Sequence, residues 1–252
     1  MTRVTCQIAW LIATALVIWT SDVDRSHAWD SKHGNPTRPT HTLLTNWGID
    51  QLKDDFPELA QFRNAIVDGA NTELHELKTT DKDIKTGHAY GVELEAKRVE
   101  HRGTNEGCDD VEGWWKESVE AYKSGQKDKA YFLLGVVLHM VEDMGVPAHA
   151  NKVVHQGTIT EFDNFEFMAL SNWKPKFNDI NKADPGFAEP WKYYDFSQKW
   201  TAEDAPDYKD RDSFSKTWTF ASGQERSLLQ NRQGRTCHVV KWTLKSAAKA
   251  LK

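Results

Sequence analysis

The stretch that most constrains the fold is "AYFLLGVVLHMVEDMGVPAHA", residues 130 to 150. Its apolar positions are too many for a one-sided helix, so a helix over 127–144 needs neighbours on more than one side. Pro147 forces its end. Set into that run are His139 and Asp143, four residues apart, which a helix projects from the same side one turn apart. His149 follows just beyond Pro147, where the chain turns back. Imidazole and carboxylate ligands suit zinc among the first-row metals. The same spacing also suits a packed histidine bonded to an aspartate, with His149 in an ordinary loop.

A helix buried on several sides asks for other helices, and the rest of the chain reads as supplying them. One begins near Pro39 or Thr40, with Leu43, Leu44, Trp47 and Leu52 as its apolar face. Residues 57 to 68, "PELAQFRNAIVD", read as a helix begun by proline and stopped before Gly69. Residues 110 to 124 form another, and "SGQKDK" is the turn before the central one. "TITEFDNFEFMALS" opens with a capping box, Thr158 to Glu161, and reads as helical. After Trp173 the composition implies long loops with short helices, until a last helix over "TCHVVKWTLKSAAKALK". No alternating strand pattern appears. The expected class is mainly α, a single globular multi-helix domain.

The N-terminal segment carries Arg3, an apolar run from Gln7 to Trp19, and a polar region ending in "SHA". This is the pattern of a secretory signal peptide over residues 1–28, with the mature domain over 29–252 and Trp29 as its first residue. A secreted or periplasmic location is expected, with an uncleaved membrane anchor as the alternative reading of the same segment. The segment contains Arg3, Arg25, Asp22 and Asp24, so its removal leaves the net charge of -5 unchanged. Such a balance lacks the strongly basic footprint of a non-specific nucleic-acid binder, and no stable nucleic-acid complex is expected. Cys6 leaves with the signal, and Cys108 and Cys237 remain, as one disulfide or two thiols. The count of 11 tryptophans suits either a helical core or an aromatic-walled cleft; for Tyr90, Trp114 and Trp115 the core is the favoured reading.

"LGVVLHMVEDMGVPAHA" and "THTLLTNWGIDQL" together resemble the zinc-dependent phospholipase C and S1/P1 nuclease superfamily. Members carry H-x-x-x-D on a helix, a P-x-H-A segment soon after, a histidine in the first helix (here His41) and an N-terminal tryptophan (here Trp29). The likeness covers most of residues 29 to 170. It implies a trinuclear zinc cleft holding two to three Zn2+ ions, and zinc-dependent hydrolysis of phosphodiester bonds. One metal position would take His139, Asp143, Asp68 and His88. A second would take Trp29, through its α-amino group and carbonyl, with His41 and a bridging Asp143. The third would use His149 with Asp163 and another histidine. There the chain departs from the pattern: Ile159 stands where that histidine belongs, and His155 is a substitute off the family register. Asp81, Asp83, His75 and His101 lie in the same region as His88 and compete with the assignments there. Asp68 would also orient the attacking water or take its proton.

The step of twelve residues from Trp29 to His41 resembles phospholipases, whereas an aspartate at position 163 resembles nucleases. The implied activity is therefore phospholipase C-type hydrolysis at a membrane surface, with transient contact and a monomeric protein. An S1/P1-like single-strand nuclease is the alternative, as is a catalytically weakened zinc protein that binds phospholipid without cutting it. No G-x-S-x-G turn or glycine-rich phosphate loop supports nucleophilic-serine or nucleotide chemistry.

Overall fold

The computed structural model describes residues 40–72, 105–151, 169, 173–178, 180–204 and 223–252. Among these residues the fold is all-helical. In chain order the helices are α1 (Thr40–Asp50), α2 (Pro57–Gln61), α3 (Arg63–Ala70), α4 (Asn105–Lys123), α5 (Lys127–Asp143), α6 (Pro147–Ala150), α7 (Lys192–Asp204) and α8 (Gly223–Ala250).

The central helix α5 is enclosed as its sequence demands. Every residue from Ala130 to Asp143 is buried, polar His139, Glu142 and Asp143 included. Helices α3 and α4 pack against it most extensively, and α8, α7 and α1 complete the enclosure. Each of its fully buried large apolar side chains contributes about 1.5–3 kcal/mol of transfer free energy.

The contact between α3 and α5 is unusually close, and two glycines allow it. A Cβ on Gly69 would lie 2.1 Å from the Phe132 carbonyl oxygen, and one on Gly135 would lie 2.1 Å from that of Ile66. The helices therefore cross backbone on backbone. This explains a departure from the sequence expectation that a helix over 57–68 stops before Gly69. The segment instead breaks at Phe62 into α2 and α3, and α3 continues through Gly69 to Ala70. Glycine is a poor helix residue in isolation, but here its missing side chain is what the crossing needs.

The C-terminal helix also begins earlier than expected, at Gly223 rather than near Thr236. Its first half is polar, which hid it, yet Gln230, Arg232 and Gln233 are buried. Gln233 Nε2 donates to the Ala169 carbonyl, its Oε1 accepts from the Lys174 amide, and Arg232 donates to the Thr201 carbonyl. Long-range hydrogen bonds thus satisfy a polar helix face inside the protein. Trp115 lies in the core, with Trp114 packed against it. Cys237 is a free, fully buried thiol whose pKa burial pushes up.

At the α2–α4–α5 junction Glu58 gathers three donors: Lys127, Tyr122 and Tyr131. The Lys127 hydrogen bond holds the Glu58 carboxyl below its ordinary value, against desolvation. A lowered folded-state value means stability that is present above the unfolded pKa and lost as pH falls through the folded one. In urea titrations across the acid range, Glu58→Gln should flatten the acid loss relative to the unaltered protein. Gly135→Ala should destabilise far more, by about 3 kcal/mol, through overpacking against the α3 backbone; chemical denaturation measures this directly.

Candidate metal centre

Two helices, each carrying residues four apart, build the site. On α5, His139 and Asp143 project from one side, as spacing requires. On α1, His41 and Thr45 do the same, from the first turn of the helix. His41, His139 and Asp143 are all buried, and one ligand atom from each lies within 4.8 Å of the others. They form one candidate metal-binding triad.

The orientation of the rings is fixed from behind. His139 Nδ1 lies 2.9 Å from the Ala70 carbonyl oxygen. A carbonyl only accepts, so Nδ1 carries the proton and Nε2 is turned toward Asp143, 3.4 Å from Oδ2. His41 Nδ1 lies 2.6 Å from Glu142 Oε2, and its Nε2 lies 3.4 Å from Asp143 Oδ1. The two imidazoles stack, with centroids 4.4 Å apart and planes 21° from parallel. Both rings therefore present Nε2 to one carboxylate, while an oxygen atom holds each Nδ1. Metal-binding histidines are supported in this way, with the distal nitrogen donating to a carboxylate or carbonyl. The spacing also suits a small cation: tetrahedral ligation at roughly 2.0–2.1 Å separates neighbouring ligand atoms by about 3.3 Å.

Glu142 is the group that sequence reasoning missed. It is fully buried beside Asp143, and Thr45 Oγ1 donates to its other oxygen at 2.8 Å. Burial pushes its pKa up to about 7, opposed chiefly by the hydrogen bond with His41. The signal was present in "HMVEDM", where a second carboxylate sits inside an otherwise apolar helix. A carboxylate so placed is buried only when something engages it.

The other expected site residues divide into two groups. Asp68 sits on α3 two residues before Ala70, but its side chain is exposed and lies outside the triad. His149 is buried on α6, also outside the triad. Trp29, His88, His155 and Asp163 lie outside the described residues, as do the signal segment, Tyr90 and most of the expected helix beyond Thr158. His41, His139 and Asp143 form one candidate metal-binding triad, whereas the resemblance implied a trinuclear cluster with His139 and His41 at separate positions bridged by Asp143. No protein-family model matches this chain, and no curated protein matches it significantly.

If Glu142 holds His41 as a metal ligand, Glu142→Gln should keep the fold and weaken zinc binding by about 10–100-fold. Competition against a chromophoric chelator reads the affinity, and thermal unfolding of the metal-free protein monitors the fold.

Proposed function

We propose that the protein is a metal-dependent phosphodiesterase acting on phospholipids, with its cation held by His41, His139 and Asp143. The observation that carries the metal reading is the pair of supported imidazoles: two Nε2 edges aimed at one buried carboxylate, with Ala70 and Glu142 behind them. The burial of Asp143 agrees with it, since a cation among the two imidazoles and this carboxylate would offset the cost of burying its charge.

A bound divalent cation lowers the pKa of water toward neutrality and neutralises charge on the phosphoryl oxygens. The chain's own residues set the conditions for that chemistry. The Ala70 carbonyl would keep the His139 proton on Nδ1, and an ionised Glu142 would do the same for His41, so both rings would offer Nε2 to a cation as neutral ligands. Thr45 holds Glu142 in place. Asp68, exposed on the helix that supplies the Ala70 carbonyl, is the carboxylate assigned to take a proton from the attacking water. His149 is assigned to a further metal position. The lipid substrate rests on the likeness of "THTLLTNWGIDQL" to phospholipases and on the spacing from Trp29 to His41.

The test combines metal analysis with two substrates. The purified protein should hold at least one zinc per chain, and His139→Ala or Asp143→Asn should remove it. The zinc-loaded protein should hydrolyse phosphatidylcholine, and Asp68→Asn should slow turnover by roughly 10²–10⁴-fold. A protein that binds no divalent metal would end the proposal. Cleavage of single-stranded DNA but not phosphatidylcholine would transfer the site to the nuclease reading. Zinc binding with neither substrate cleaved would leave a non-catalytic metalloprotein.

A further inference from the structure

Helix α8 is buried along most of its length, and four of the six residues it leaves uncovered between Asn231 and Lys249 are basic. From Asn231 to Lys249, the residues that are not buried are Asn231, Arg235, His238, Lys241, Lys245 and Lys249. Spacings of three and four residues put them on one stripe, which from Arg235 to Lys249 runs for about 21 Å. No acidic residue occurs in the sequence from Arg226 to Lys252. The chain as a whole carries a net charge of -5, so this cationic line stands against the overall balance.

Apolar groups accompany the stripe. The exposed large hydrophobic residues among the described ones are Phe177, at 38%, and Leu228, at 39%. Leu228 lies two helical turns before Arg235 on the same stripe. Phe177 stacks on Trp47 with centroids 5.2 Å apart and meets the His238 ring edge-on at 5.6 Å. Within the protein, Lys245 approaches Asp184 at 3.8 Å, and Arg235 lies over the Trp200 ring.

We propose that this face of α8 docks the protein on anionic lipid surfaces. Lysine and arginine would meet the headgroup charge, while Phe177 and Leu228 enter the boundary with the acyl chains. A single-stranded nucleic acid also seeks cations beside aromatic rings, but the exposed aliphatic Leu228 offers no face on which a base can stack. The choice of a lipid partner rests on the phospholipid reading above, whereas the residues involved are separate from the metal triad.

The experiment uses sedimentation of the full chain with vesicles of phosphatidylcholine containing phosphatidylserine, with pure phosphatidylcholine vesicles and single-stranded DNA in parallel. Binding should be tighter to the anionic vesicles and weaken as salt is raised. The triple change K241Q/K245Q/K249Q should reduce it by on the order of a hundredfold, at about fivefold per charge. Phe177→Ala should lower the binding that survives high salt. Zinc content and hydrolysis of a soluble phosphodiester should be unchanged in both variants. Equal binding to both kinds of vesicle, or none, overturns the proposal, as does binding to DNA alone or a triple variant that binds as before. Salt-sensitive, lysine-dependent vesicle binding by a protein that hydrolyses no lipid supports the surface while refuting the phospholipase activity.

Discussion

The backbone-on-backbone crossing of α3 and α5 at Gly69 and Gly135 is the constraint from which the centre follows. Any side chain at either position would drive the helices apart. Their close approach brings the Ala70 carbonyl, at the end of α3, within hydrogen-bonding reach of His139 one turn further along α5. A carbonyl that would otherwise be an unmatched acceptor at a helix end thereby selects the tautomer of a buried histidine. Packing and site chemistry are here the same interaction seen from two sides.

The second support is electrostatic. Glu142 and Asp143 are adjacent in sequence yet face different nitrogens, because successive helical residues point about 100° apart. Asp143 lies between the two Nε2 atoms, while Glu142 reaches Nδ1 of His41 from behind. Two buried carboxylates beside two imidazoles give a compact set of hard and borderline donors. Such a set is costly to bury without compensating charge and strong once that charge is supplied.

Much of this is legible in the sequence. The apolar density of residues 130 to 144 required an enclosed helix, and the i, i+4 relation of His139 and Asp143 required a shared face. The bounds of α5 and the start of α1 follow local rules, Pro147 above all. Other features depended on tertiary contacts that no local pattern expresses. Gly69 reads as a stop until Gly135 is known to lie against it. The polar first half of α8 reads as loop until Ala169, Lys174 and Thr201 are there to satisfy its side chains. Glu142 is marked in the sequence only by being a carboxylate within an apolar helix, because no histidine stands four residues before it as His139 stands before Asp143. The resemblance puts His41 and His139 at different metal positions joined by Asp143, whereas the stacked rings bring both histidines to one candidate triad.

The hydrogen bonds that orient the imidazoles span long stretches of chain. His41 and Glu142 are separated by 101 positions, and His139 and Ala70 by 69. Contacts so distant in sequence form only after large loops have closed, and they make the entropy of that closure part of their cost. An incompletely folded chain therefore offers scattered, poorly oriented donors, and only the finished one offers a converged set. A cation taken up by that set favours the finished state in proportion to its affinity. It would act as a latch that closes last, tying the first described helix to the central one and making metal availability a determinant of the protein's lifetime.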